Sequence, residues 1–124
     1  MSELKGYKEL VVWQKGMILA KEVYKLSKQL PKEELYGLSD QMRRATVSIV
    51  ANIAEGKGRI SKNEYAYFLS ISLGSKSELE TLLYLSVEIG YFTEEDIKYS
   101  IELLEEIGKM LYTMIVKLKS EGGR

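Results

Sequence analysis

The chain contains no cysteine and no histidine. The first absence removes disulfides, thiolate nucleophiles and thiolate metal sites together. The second removes the commonest general base and the commonest transition-metal ligand. Any catalysis would rest on Asp, Glu, Lys, Tyr, Ser or Arg alone, and without histidine no Glu-x-x-His pattern exists for a di-iron site in a helix bundle. A non-enzymatic protein without cofactor or metal is the expectation. Proline occurs once, at Pro31, so long stretches lack the residue that breaks helices. No uncharged apolar run reaches the 18 residues or so that mark a membrane span. Met1-Ser-Glu-Leu-Lys-Gly-Tyr-Lys8 carries no apolar segment ahead of a cleavage site. The expectation is a cytoplasmic protein with no membrane contact.

Net charge is absent as well, with 18 basic and 18 acidic residues in 124. The sign is unevenly spread. Residues 1–60 hold eleven basic and seven acidic groups, and residues 61–124 hold seven and eleven. Such a split gives either opposite faces for partners of opposite charge or halves that neutralise each other across the fold. The length fits one domain spanning residues 1–124. A chain of this size can bury roughly two-thirds of its unfolded surface, enough for a core.

What is present is helical periodicity. Val12, Gly16, Leu19, Val23, Leu26 and Leu30 step by four and three, as do Trp13, Met17, Ala20, Tyr24 and Ser27. The first helix has two adjacent apolar seams and should end at Pro31. The second should open with Ser39 as N-cap and Asp40 in its first turn. Its seam is Leu38, Met42, Ala45, Ile49 and Asn52, and Gly56 reads as a left-handed stop. The third opens on the capping box Ser61-Lys-Asn-Glu64 and runs to Ile89 before Gly90, about 43 Å at 1.5 Å per residue. Its stripe holds Tyr65, Phe68, Leu69, Ile71, Leu79, Leu82, Leu83, Leu85 and Ile89. The small residues of Ser70–Ser75 invite close approach, with Ala45, Ser48 and Ala51 as opposite numbers. The fourth starts after Thr93 and keeps Ile97, Ile101, Leu104, Gly108, Leu111, Ile115 and Leu118 in a heptad seam. Ser120–Arg124 should fray, leaving a core of about residues 7–118. Short connections favour antiparallel neighbours, so the expected fold is an all-α, up-down-up-down four-helix bundle.

A bundle helix needs about three apolar positions per heptad. Trp13, Met17 and Tyr24 on the first helix exceed that, as do Leu103, Ile107, Met110 and Met114 on the fourth. Either these stripes pack wide internally or the surplus holds a homo-oligomer; an oligomer is the expectation.

Polar residues near the seams carry two readings each. Glu78 and Asn52 are either a polar pocket or a register-setting pair with the Glu reaching the surface. Gly56-Lys-Gly-Arg59 lacks the Walker order and follows no strand, yet precedes a helix N-terminus, where free amides favour anions. Lys57, Arg59 and Lys62 are therefore either phosphate contacts or a solvated turn. Arg43 and Arg44 could extend that surface, although adjacent helical residues point about 100° apart. Nine tyrosines allow base stacking, but most fall on or beside apolar seams, which favours core or interface packing. Tyr7, Tyr36 and Tyr67 are the less committed ones.

Several segments together resemble a known family. Tyr7-Lys-Glu-Leu-Val-Val-Trp-Gln-Lys15, Pro31-Lys-Glu-Glu-Leu-Tyr-Gly-Leu-Ser39, Gln41-Met-Arg-Arg-Ala45 and Asn52-Ile-Ala-Glu-Gly56 follow its pattern. Tyr65-x-x-Phe-Leu69 and Gly74-Ser-Lys-Ser-Glu-Leu-Glu-Thr81 do so too, and Val50 stands where a proline is common. The chain is similar to the bacterial four-helix-bundle proteins encoded in 23S ribosomal RNA intervening sequences. Related bundles are accessory variability proteins of diversity-generating retroelements. The resemblance implies a four-helix protomer, a ring-shaped homopentamer, and RNA or DNA binding through basic surface. In the retroelement relatives it also implies contact with a reverse transcriptase. The resulting expectation is a non-enzymatic, oligomeric, RNA-associated bundle. Arg43, Arg44, Lys57, Arg59 and Lys62 are its nucleic-acid contacts, with Lys15 as a further one. The alternative is a protein-interaction scaffold whose acidic second half docks a basic partner.

Overall fold

The computed structural model describes residues 6–122, and among them it is helical with no strand. A 3-10 turn, Tyr7–Glu9, leads into α1, Val11–Ser27. A second 3-10 turn, Lys32–Glu34, leads into α2, Leu38–Lys57. Then come α3, Lys62–Ile89, and α4, Glu94–Gly122. The result is a four-helix bundle.

The aliphatic seam of α1 is buried throughout: Val12, Gly16, Leu19, Val23, Leu26 and Leu30 all lie in the core. Burying residues at this spacing removes one continuous stripe from water, roughly 1.5–3 kcal/mol for each large aliphatic side chain. The second seam behaves differently. Trp13 packs partly against the core, but Met17 and Tyr24 are exposed. The helix also stops earlier than Pro31 requires. Ser27 Oγ donates to the Tyr24 carbonyl (2.9 Å), and Gln29 N–H donates to Leu26 O (2.9 Å), tightening the last turn before proline is reached.

Two expectations for α2 are corrected. Ser39 is not its N-cap: Gly37 holds that place, and Glu34 reaches forward to accept the Leu38 N–H (3.1 Å). Ser39 instead lies buried inside the helix and donates to Ser27 O (3.1 Å), tying the start of α2 to the end of α1. Gly56 is not a left-handed stop. Among the described residues only Gly90 has a positive φ, 102°, where it ends α3 as its sequence position implies. Gly56 is buried and marks a close approach, since a Cβ there would lie 3.0 Å from Phe68 Cβ and 3.1 Å from Tyr65 O.

The small stretch of α3 does face α2. Ser72 Oγ donates to Ile49 O (2.8 Å) and the Ser48 and Ser75 hydroxyls meet at 2.7 Å. Ala45 is buried, but Ala51 is exposed and takes no part. These pairs, with Gly56 against Tyr65 and Phe68, run in opposite directions along the two helices, so α2 and α3 are antiparallel. Gly16 beside Val50 and Ser27 beside Ser39 set α1 against α2 in the same sense. Lys76 beside Gly108 and Lys62 beside Glu121 do so for α3 and α4. Asn52 donates to Ser48 O (2.8 Å), and Glu78 is exposed, so the two form no polar pocket.

Helix α3 starts as its sequence implies, with Ser61 Oγ accepting the Glu64 N–H (3.1 Å). Its stripe is narrower at the far end, because Leu85 and Ile89 are exposed. Helix α4 opens on a reciprocal cap between Thr93 and Asp96 (2.8 and 3.1 Å). Leu103 and Ile107 are buried in the core, and Met110 and Met114 pack partly against it. Helix α4 also continues through Ser120 to Gly122, correcting the frayed tail up to that point; the expectation for residues 123–124 lies outside the described residues.

Gly56 and Gly74 make a paired test. Alanine at exposed Gly74, with nothing within 4 Å of its Cβ, should stabilise by about 0.5–1 kcal/mol through helix propensity. At Gly56 the same change presses on the Tyr65 backbone and should destabilise by about 1–3 kcal/mol. Urea denaturation of both variants reads the signs, and a shared sign would contradict the close-approach role of Gly56.

Candidate nucleic-acid interface

The turn between α2 and α3 gathers three of the candidate cations within one loop: Lys57 at the last turn of α2, Arg59 in the connection and Lys62 at the start of α3. The fold places them there because α2 runs past Gly56 to Lys57 and the Ser61 cap restarts the chain at once. Ile60 between them is fully exposed. Arg59 lies with its guanidinium 4.7 Å from the Phe68 ring centroid, and the Lys57 ammonium lies 6.0 Å from that of Tyr65. Tyr65 is half-buried, and burial raises its phenol pKa.

These cations are not bare. Arg59 pairs with Glu55 one turn earlier, and Lys62 Nζ reaches Glu121 Oε1 on α4 at 3.0 Å. The Lys62 hydrogen bond and charge hold the Glu121 carboxyl below its ordinary pKa. Two of the remaining candidates are paired as well: Lys15 with Glu106 (3.0 Å) and Arg44 with Asp40 (3.1 Å). Arg43 is half-buried beside Tyr24 and Val47 and forms no ion pair among the described residues. It does not extend the loop surface, since Lys57 lies about four helical turns further along α2, about 21 Å away. The structure therefore brings Lys57, Arg59 and Lys62 together and sets Arg43, Arg44 and Lys15 apart from them.

The carboxylate partners were partly readable in the sequence. Glu55–Arg59 and Asp40–Arg44 have the i,i+4 spacing that lets helical side chains pair. Glu106 and Glu121 become partners only through packing of α4. Of the tyrosines, Tyr65 and Tyr91 are half-buried against the core, and the other seven are exposed. None belongs to the buried core. Tyr91 donates to Glu34 (2.9 Å), and this hydrogen bond, with lesser contributions from burial and from the nearby Glu34 and Glu33 charges, raises its pKa.

A groove between α3 and α4 was not singled out from sequence. It is lined by Tyr84 and Ile101 with Glu94, Glu95, Glu102 and Glu105 and a single cation, Lys98. Among the described residues those four glutamates form no ion pair. Among the described residues no cluster of three or more Asp or Glu could hold a metal ion, and no helix is long and apolar enough to cross a membrane.

The Lys62–Glu121 contact predicts a measurable linkage. A carboxyl with a lowered folded pKa contributes stability at neutral pH that is lost as pH falls through that value. Lys62→Ala should raise the Glu121 pKa toward its ordinary value and weaken this acid-sensitive contribution. Carbon-detected NMR titration of the Glu121 carboxyl checks it, and an unchanged midpoint would show that the pair does not form in solution.

Comparison with known proteins gives the chain its place. No curated protein matches it. A crystal structure of a protein of unknown function from the S23 ribosomal protein family of Bacteroides thetaiotaomicron superposes with a TM-score of 0.79 at 30% identity, covering 85% of this chain and 98% of that one. Residues 8–113 match the family described as 23S rRNA-intervening sequence protein. The helices that carry the α2–α3 turn lie inside that match, and the chain belongs to the 23S rRNA-intervening sequence protein family.

Proposed function

We propose that this chain is a non-enzymatic, self-associating bundle that contacts the phosphate backbone of RNA through the α2–α3 turn. The observation that carries the RNA contact is the grouping of Lys57, Arg59 and Lys62 around an exposed turn at the start of a 28-residue helix. Free amides and the helix dipole at that end favour anions. The ion pairs to Glu55 and Glu121 do not oppose this strongly. Exposed pairs contribute only about 0–1 kcal/mol, so a phosphate can displace a carboxylate at small cost. The family's description, which names 23S rRNA intervening sequences, agrees with an RNA setting. Self-association is supported by exposed apolar side chains on α1, Met17 and Ile18 among them, next to a fully formed core. The resemblance noted above implies a ring of five, which mass measurement under native conditions reads directly.

Binding to structured RNA should weaken as salt rises. Three phosphate contacts give a slope of log K against log salt of about −2 to −3. Lys57→Ala/Arg59→Ala/Lys62→Ala should flatten that slope and weaken binding without loss of helicity. Fluorescence anisotropy across a salt series provides the measurement. A salt-independent affinity, or one unchanged in the triple variant, would remove the RNA contact. A protein partner retained after nuclease treatment, with no RNA affinity, would instead favour a scaffold for a basic protein such as a reverse transcriptase.

A further inference from the structure

The self-association proposed above leaves open which surfaces meet, and two unlike faces of the bundle answer that question. On the outer side of α1, Met17 (44% exposed), Ile18 (48%) and Tyr24 surround Lys21, Lys25 and Lys28 with no carboxylate in the depression they form. Tyr24 continues this face into the α1–α2 groove, beside Arg43, Val47 and the Asp40–Arg44 ion pair. The groove between α3 and α4 has the opposite character. Tyr84 (47% exposed) and Ile101 form its apolar floor, and Glu94, Glu95, Glu102 and Glu105 surround it. Each face thus combines exposed apolar area with charge of nearly one sign, and the two signs are opposite. Lys25 pairs with Glu22 at 3.9 Å, but among the described residues Lys21 and Lys28 form no ion pair, and neither do the four glutamates.

The position of the two faces matters as much as their charge. Contacts run α1 to α2, α2 to α3, α3 to α4 and α4 back to α1, so the α1–α2 side and the α3–α4 side are opposite sides of the bundle. They also lie at the same height. The Tyr91 hydroxyl bonded to Glu34 brings the α3–α4 turn beside the α1–α2 connection at one end. Counting from the Lys15–Glu106 pair in opposite directions sets residues 17–28 of α1 level with roughly residues 93–104 of α4. One copy placed beside another with its axis parallel therefore presents the basic face of the first to the acidic face of the second.

We propose that the Met17–Ile18–Tyr24 face with Lys21, Lys25 and Lys28 docks on the Tyr84–Ile101 groove with Glu102 and Glu105 of a second copy of this chain, head to tail. Each copy uses both faces, so the contact is heterologous; it forms a ring where the rotation between neighbours closes and an open filament where it does not. A symmetric two-fold contact would set like charges against each other, lysines on lysines or glutamates on glutamates, which opposes association. This inference rests on the self-association reading and is separate from the RNA contact, whose turn lies at the other end of the bundle.

Charge reversal tests it on the full chain by native mass spectrometry and sedimentation velocity, with circular dichroism confirming helicity. Lys21→Glu/Lys25→Glu should weaken self-association at least about tenfold and yield monomer, and Glu102→Lys/Glu105→Lys should do the same. Combining all four substitutions restores opposite signs across the contact and should restore the oligomer. That rescue also shows that the separate variants fail through repulsion and not through misfolding. A wild-type oligomer unaffected by either reversal would overturn this pairing of faces and leave self-association standing. Folded reversal variants that dissociate without rescue in the combined variant would also overturn it, assigning the two faces to different partners. A wild-type chain that stays monomeric at all concentrations would overturn both the pairing and the self-association beneath it.

Discussion

Everything in the bundle depends on how closely α2 and α3 approach. Where they meet, the side chains are a glycine, an alanine and serines: Gly56, Ala45, Ser48, Ser72 and Ser75. The serines solve a problem that small apolar residues would leave open. A hydroxyl in a helix interior normally turns back to its own carbonyl one turn earlier. Here Ser72 gives its proton to Ile49 O on the neighbouring helix, and Ser48 and Ser75 bond each other across the gap. The polar atoms of the contact are satisfied by the contact itself, so it can be both tight and buried. With α2 and α3 locked in this register, the turn between them has no freedom to move Lys57, Arg59 and Lys62 apart.

Glu34 plays a comparable part at the opposite end. One carboxylate oxygen accepts the first free amide of α2 and the other accepts the Tyr91 hydroxyl. A single side chain in a connection thus caps a helix and joins the two turns at that end of the bundle. Because those turns are level, the α1–α2 side and the α3–α4 side present their charges at the same height. The geometry of the core in this way sets the geometry of the surface.

Charge in this protein is arranged at two ranges. Arg59 and Lys62 at the α2–α3 turn, Lys15 on α1 and Arg44 on α2 are paired with carboxylates of the same chain. Such pairs contribute little to folding, about 0–1 kcal/mol each. The lysines of the outer α1 face and the glutamates of the α3–α4 groove are mostly left without a partner. Uncompensated charge beside exposed apolar area is what a surface awaiting a complementary one looks like.

The helices themselves were legible in the chain. The 3.6-residue spacing of Val12 to Leu30 and of Ile97 to Leu118, the Ser61 and Thr93 caps and Gly90 are local signals that tertiary packing leaves in place. So was the grouping of Lys57, Arg59 and Lys62, because residues in one short turn cannot be far apart. Other features depended on which neighbour arrives. Gly56 reads equally as a stop or as a notch until Tyr65 and Phe68 are packed against it. Ser39 reads as a cap until the Ser27 carbonyl draws it inside. The surplus apolar residues of α1 and α4 read alike in the sequence, yet Leu103 and Ile107 fill the core while Met17 and Tyr24 face water. Sequence periodicity gives the angle of a side chain around its own helix, whereas burial depends on the angles at which four helices meet. The amino-acid sequence by itself determined the four helices and the basic turn. Only the tertiary structure decided which charges are already satisfied and which apolar face is left over, because both require residues far apart in the chain to share one place.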